Sequence, residues 1–379
     1  MQTRRTYGRP RRGRRGRSSH RTKAITVLAG TIMVMAVIGS AVALSWALPD
    51  SGLASAGKPG AASIHGAQAH SDSPPSHSSG EGNGERSSQP HQGGKPVLHL
   101  REVGGPRLGS SKIVVGANAP RLPRIPASAY VIANAKTGAV LAAKDAHGRY
   151  EPASTLKILT AITMLPRLKS AASLTASKLA ASMVPNIIGL IPRHRYKVAD
   201  LFRALLMISA NDAAVTLAES SGSLGKGMAL VNAEARHLRA YDVVAKQPNG
   251  LPAPGQVVSA YDLALIARAA LANPAFMAYD HTRQAVFRDT RFGPVHMVNE
   301  NRLLTDYPGA LGGKTGWTMT AGATYVGMAR RNGVTLIVSI LHATPLTTIT
   351  SAERLLDWGF AANGKVRQVG TLVRPLSRQ

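Results

Sequence analysis

From Pro49 to about Arg124 the chain is rich in Gly, Ser, Pro, Ala and His, with few aromatic residues or β-branched runs before Lys112-Ile113-Val114-Val115. Such a tract cannot bury enough apolar surface to offset the entropy lost on ordering it. Of the 379 residues, only those from about Pro126 onward are expected to build a core. The organisation this predicts is a basic arm at 1–23, an apolar segment at 24–48, a disordered linker at 49–125 and one folded domain at 126–379.

The arm and the apolar segment belong together. Ten basic residues, Arg4 to Lys23, precede the first acidic one, Asp50. The 25 residues from Ala24 to Leu48 are uncharged and mostly apolar, long enough to cross a hydrocarbon core of ~30 Å. A basic flank on the N-terminal side holds that end in the cytoplasm and places everything after Leu48 outside. The expected location is the cell membrane, single-pass, with the folded domain extracytoplasmic. The alternative is secretion after cleavage near Ala41-Val42-Ala43 or Ser45-Trp46-Ala47. The apolar segment of a cleaved signal is usually shorter, about 7–15 residues, which favours the anchor. The net charge of +27 needs no nucleic-acid partner, because cytoplasmic retention already explains the arm. The absence of cysteine excludes a thiol nucleophile, a cysteine zinc site and any disulfide. His65, His70, His77, His91 and His99 follow no regular ligand spacing, so no metal is expected, and no cofactor.

Within the folded part, Ala129 to Asn134 and Ala139 to Lys144 read as paired strands. Apolar residues at Leu156, Ile158, Leu159, Ile162, Leu165 and Leu168 predict a largely buried helix from Thr155 to about Leu168. Leu201 to Ile208, Asp212 to Glu219 and Tyr261 to Leu271 read as further helices. Ala323 to Ala329 and Val334 to Leu341 flank Arg330-Arg331-Asn332-Gly333, and Asn-Gly favours a tight hairpin. A last helix runs from about Ser351 to Phe360. Strand pair, central helices, strand pair and terminal helix predict an α+β fold, an antiparallel sheet covered by helices.

Three fragments carry chemistry. Ser154-Thr155-Leu156-Lys157 opens the buried helix, which puts Ser154 and Lys157 on one face. A serine hydroxyl needs a base within hydrogen-bond reach. Burial and the positive end of the helix dipole both disfavour an ammonium, so Lys157 is expected to supply a neutral amine. Ser209-Ala210-Asn211 follows the apolar run Leu205 to Ile208. Ser209 is read as a proton relay to a departing amine, with N-capping as its simpler alternative, and Asn211 as a holder of a substrate amide. Lys314-Thr315-Gly316 follows Gly312-Gly313, where a substrate backbone can lie along a strand edge, with Lys314 and Thr315 offering charge and a hydroxyl to a carboxylate. The serine–lysine spacing also occurs at Ser55 and Lys58, in a coreless stretch. It recurs at Ser223 and Lys226, where Gly222 and Gly225 are expected to prevent a rigid helical face. Lys136-Thr137-Gly138 reads as a hairpin turn.

These motifs, in this order, resemble the serine D-alanyl-D-alanine carboxypeptidases, the low-molecular-mass penicillin-binding proteins. The resemblance extends from about Ala127 to Phe360. It takes in Glu151-Pro152-Ala153 before the nucleophile, Asp212-Ala213-Ala214, Asn249-Gly250-Leu251, Ser259-Ala260-Tyr261-Asp262-Leu263, Asn299 and Asn301, Trp317-Thr318 and Leu355-Leu356-Asp357-Trp358-Gly359-Phe360. It implies a β-lactamase/D,D-peptidase-like fold. It also implies removal of the terminal D-alanine from peptidoglycan stem peptides through an acyl-serine, and acylation of that serine by β-lactams. The catalytic residues it implies are Ser154, Lys157 and Ser209. Substrate would lie against Asn211, Lys314, Thr315, Gly316, Trp317 and Thr318, with the Ser154 and Trp317 N–H groups as the oxyanion hole. Several relatives carry a C-terminal β domain and amphipathic anchor, which the N-terminal span would replace. Two positions depart from the family pattern: Pro252 follows Asn249-Gly250-Leu251 where Asp is usual, and Glu300 stands where some members have Arg. The alternatives are a slowly deacylating β-lactam-binding or wall-sensing protein, a transpeptidase, or a serine β-lactamase. The last is disfavoured because neither Glu219, Glu234 nor Glu300 is followed by Asn at the third position.

Overall fold

Alternate residues of one strand already define three layers. Ala129, Val131 and Ala133 pack into one apolar core and Tyr130 and Ile132 into another, so the strand is buried on both faces. The computed structural model describes residues 103–378. The basic arm, the apolar segment at 24–48, residues 49–102 of the expected linker with their histidines, and the Ser55 motif lie outside the described residues. Among the described residues, no helix is long and apolar enough to cross a membrane.

The strands are β1 (Ile113–Val115), β2 (Ala127–Asn134), β3 (Ala139–Lys144), β4 (Ser173–Thr175), β5 (Arg195–Lys197), β6 (Gln284–Phe287), β7 (Val295–Val298), β8 (Ala310–Thr318), β9 (Gly322–Arg331), β10 (Val334–Ala343) and β11 (Gly370–Thr371). The helices are α1 (Lys157–Met164), α2 (Lys178–Ala181), α3 (Val198–Met207), α4 (Asn211–Glu219), α5 (Leu224–His237), α6 (Ala260–Leu271), α7 (Pro274–Asp280), α8 (Leu303–Asp306) and α9 (Thr348–Ala362). The main sheet runs β1-β3-β2-β10-β9-β8, with β11 also on β3, and its pairings are antiparallel. Helices α1, α3, α4 and α6 cover one face through Leu159, Phe202, Leu217 and Ile266. Helix α9 covers the other through Leu355, Leu356 and Trp358. The α+β architecture with an antiparallel sheet and helices is thus the observed one.

Local chemistry explains the turns. Asn134 Oδ1 receives the N–H groups of Lys136 and Thr137, each at 3.0 Å, and Gly138 sits at φ 80°, closing the β2–β3 turn. Asn332 and Gly333, at φ 48° and 77°, provide the two left-handed residues that a tight β9–β10 hairpin requires.

Four expectations are corrected. The linker does not extend to residue 125. Val103 and Leu108 are buried, Ile113–Val115 pairs with Ala142–Lys144, and Trp358 Nε1 donates to Pro120 O at 2.9 Å. A few apolar residues suffice there because they cover an open sheet edge instead of forming a core of their own. The helix expected from Thr155 to Leu168 is a 3₁₀ turn at Ala153–Leu156, then α1, then a 3₁₀ turn at Leu165–Arg167. Pro166 lacks the N–H that would continue it. The Ser223 stretch does start a helix, since Ser223 caps α5 by accepting the N–H of Lys226 at 3.1 Å. Capping outweighs the cost of the glycines. Finally, Ser209 is no cap, because Ala210 occupies that position before α4 without a side-chain bond.

Candidate active site

The 3₁₀ turn that feeds α1 lifts Ser154 to the floor of a cleft of about 600 Å³, whose lining includes Ser209, Thr315, Gly316, Trp317 and Glu300. Ala153, just before it, has φ 45°, a conformation that costs a non-glycine residue energy and recurs at functional turns. The strand opposite comes very near. A Cβ on Gly316 would lie 2.8 Å from Ser154 N and 2.4 Å from Thr324 Oγ1. Only glycine lets β8 pass this close to the serine.

Lys157 is fully buried behind Ser154. Its Nζ lies 2.8 Å from Ser154 Oγ, 2.8 Å from Asn211 Oδ1 and 2.7 Å from Asn249 O. A neutral amine has two N–H bonds and one lone pair. Asn211 and Asn249 can take the two N–H bonds, leaving the lone pair toward the Ser154 hydroxyl. Burial, and next the charge of Lys314, hold the Lys157 ammonium well below the ordinary lysine value, with Glu300 and Asp212 opposing.

Ser209 follows the end of α3 at φ 62°, with its Oγ buried and without a partner among the described residues. A buried hydroxyl without a partner is costly, and this one borders the cleft. Asn211 is engaged on both sides: Oδ1 accepts from Lys157, and Nδ2 donates to Val184 O at 2.9 Å. The structure therefore places the side chain as a brace for the lysine. Lys314 is buried beneath β8, with Nζ donating to Thr315 O at 2.9 Å. Burial lowers its pKa, and Glu300 and Asp280 oppose that shift.

Of the residues expected from sequence, Ser154, Ser209, Thr315, Gly316 and Trp317 border the cleft. Lys157, Asn211 and Lys314 are buried. Thr318 is not brought to the cleft with them; its Oγ1 receives the Ala321 N–H at 3.0 Å in the β8–β9 turn. Ser223 and Lys226 are exposed on α5.

Several contributors escape a reading of side-chain motifs. Asn249 acts through its backbone carbonyl, which leaves no signature beyond the Asn-Gly turn. Asp212 receives the N–H groups of Ile188, Gly189 and Leu190 at 3.1, 2.8 and 3.0 Å. Asn186 Nδ2 donates to Glu300 Oε1 at 2.8 Å, so Glu300 ties the same loop to the cleft edge. Among the described residues, no group of three or more His, Asp or Glu side chains could hold a metal.

A sequence profile of D-alanyl-D-alanine carboxypeptidases matches residues 116–345. The D-alanyl-D-alanine carboxypeptidase DacB2 of Mycobacterium tuberculosis is 37% identical over 257 residues, covering 66% of this chain and 88% of that protein. DacF of Bacillus subtilis, named with the same activity, is 30% identical over 242 residues, and the match spans 62% of its length. Among solved structures, a D-alanyl-D-alanine carboxypeptidase of M. tuberculosis superposes with TM-score 0.65 at 36% identity, over 68% of this chain and 99% of that one. A DD-transpeptidase of Streptomyces K15 superposes with TM-score 0.61 at 28% identity, over 64% and 100%.

Proposed function

The chain belongs to the D-alanyl-D-alanine carboxypeptidase family, and from that premise we propose which of its residues perform the reaction and where. Neutral Lys157 takes the Ser154 proton as Oγ attacks the carbonyl of the penultimate D-alanine of a peptidoglycan stem peptide. The oxyanion that forms faces the N–H groups of Ser154 and Trp317. The Ser209 hydroxyl passes a proton to the amine of the departing D-alanine, and water then releases the peptide from Ser154. Lys314 and Thr315 receive the terminal carboxylate. β-Lactams enter at the same serine.

The observation that carries this reading is the arrangement of Lys157, whose three neighbours leave a neutral amine's lone pair directed at Ser154 Oγ. The test is release of D-alanine from a stem-peptide mimic, measured beside hydrolysis of a β-lactam. D-Alanine release with slow β-lactam hydrolysis supports the carboxypeptidase. A stable acyl-enzyme with neither product supports the wall-sensing alternative, and fast β-lactam hydrolysis a β-lactamase. The transpeptidase alternative uses the same groups with an amine in place of water, and adding an acceptor amine to the assay reports it.

The proposal extends to location. The uncharged residues 24–48 behind the arginine-rich arm support a single membrane span that tethers the domain outside the cytoplasm, beside its wall substrate.

A further inference from the structure

Beneath the Lys314 end of the cleft lies a buried polar layer that the acyl-transfer steps do not use. Asp280, the last residue of α7, is fully buried. Its Oδ2 receives the N–H of Gly313 at 2.7 Å, and its Oδ1 has no partner among the described residues. Asn299 Nδ2 holds the end of this helix by donating to Asp280 O at 3.0 Å and Thr282 O at 2.9 Å. Asn301 Oδ1 receives the Tyr325 hydroxyl at 2.7 Å.

The Asp280 bond falls where β8 departs from regular pairing. The register with β9 shifts between Ala310 and Gly312. Gly313 has φ 146°, and a Cβ on Gly312 would lie 2.0 Å from Asp280 Oδ2. The next residue is Lys314, so the direction in which that side chain leaves the strand depends on this step. The charged and titratable groups around the pair are few. Asp280 faces Lys314 on β8 and Tyr325 on β9. Lys314 is in turn felt by Lys157 at the start of α1, and faces Glu300. Burial pushes the Asp280 carboxyl up to about 7, against the pull of the Gly313 N–H and Lys314.

We propose that Asp280 is a positioning residue for the substrate's terminal carboxylate: it fixes the Gly313 step of β8, and it is one of two anions that keep Lys314 cationic beneath the cleft. This rests on the role of Lys314 given above. Removing the Asp280 charge acts on Lys314, which would lose its proton at a lower pH, so carboxylate recognition fails sooner on the alkaline side. Below about pH 7 the Asp280 carboxyl already carries a proton, so the acid side of the profile, set by Lys157, should stay where it is.

The test compares benzylpenicillin with its methyl ester, which differ only in the carboxylate, as acylating agents from pH 6 to 9.5, with rates read by intact mass. The unmodified protein should prefer the acid. Asp280→Asn keeps an acceptor for Gly313, and above pH 8 it should slow acylation by the acid about tenfold while leaving the ester within about twofold. A merely structural role would slow both alike. A preference for the acid retained in Asp280→Asn overturns the inference and leaves Lys314 standing. No preference in the unmodified protein overturns both. Should the variant not fold, carbon NMR of aspartate-labelled unmodified protein reads the same coupling. The carboxyl that titrates near pH 7 should move upward on acylation by the acid and not by the ester, and indifference to both overturns the inference.

Discussion

The carboxylate of Asp212 receives the backbone N–H of Gly189 at 2.8 Å, and this bond fastens a loop that bears on Lys157 through Asn211. The same carboxylate holds Ile188 and Leu190, and the loop's Val184 carbonyl receives the Asn211 amide that braces Lys157. Asp212→Ala would strand four buried N–H donors, those of Ile188, Gly189, Leu190 and Ala213. It should cost about 2–4 kcal/mol in urea unfolding, with acylation slowed at temperatures where the variant is still folded. Asp212→Asn keeps one acceptor oxygen and should fall between. Unchanged acylation in a destabilised Asp212→Ala would separate the loop from the lysine.

Labelling should distinguish two serines that both begin helical turns with lysine three residues on. Ser154 has Lys157 Nζ at 2.8 Å in a buried site, whereas Ser223 spends its oxygen on the Lys226 N–H at an exposed end of α5. Peptide mapping after β-lactam treatment should place the adduct on Ser154, and Ser154→Ala should abolish it. Ser223→Ala should label normally while losing about 1 kcal/mol of stability from its cap. An adduct on Ser223 would reverse the assignment.

The contrast between these serines shows what the sequence could reveal. Apolar period and turn chemistry located β2, β3, β9, β10, α4, α6 and α9 to within a few residues, because each buries a regular face or closes on Asn or Gly. Gly222 and Gly225 do not keep Ser223 from opening a helix, since capping can start one despite nearby glycines; exposure is what sets this serine apart from Ser154. Ribbons β4–β5 and β6–β7 went unseen because neither has a long alternating face. In the site, side-chain motifs were legible, but the Asn249 carbonyl, the Asp212 loop clamp and Asp280 were not. Those depend on backbone groups brought together from distant parts of the chain, as Lys157 and Asn249 are across a separation of 92 residues.

Lys157 and Lys314 should divide their roles when each becomes arginine. The acylation rate should rise with pH through the lowered Lys157 pKa, since only the neutral amine accepts the Ser154 proton. Lys157→Arg stays protonated and should lose at least about a hundredfold in acylation rate. Lys314→Arg keeps a cation for the substrate carboxylate and should be milder. Stopped-time acylation across pH decides it, and near-normal rates in Lys157→Arg would sink the mechanism.

Protease added to spheroplasts should reach the folded domain and leave the arm at 1–23 protected, if residues 24–48 span the membrane. Mass spectrometry of the recovered chain reports the alternative. A soluble form beginning near Leu44 or Leu48 would establish a cleaved signal in place of the anchor.

Asp280 also makes a prediction about stability that is independent of turnover. Its carboxyl titrates at about 7 in the folded protein, against about 3.9 for an unfolded aspartate. Between these values the folded state holds a proton that the unfolded state has released, so the folded state binds more protons. Stability from this group is complete below about pH 4 and declines as pH rises through about 7, with a slope of at most about 1.4 kcal/mol per pH unit. Other carboxyls contribute their own slopes, so the measurement is a difference. Urea unfolding of the unmodified protein and Asp280→Asn from pH 4 to 8 should show a gap that shifts in favour of the variant up to about pH 7 and then levels off, because Asp280 is the group whose titration in this range the substitution removes. Parallel curves would mean that Asp280 is ionised in the folded protein throughout this range, with Lys314 and the Gly313 N–H outweighing the cost of its burial.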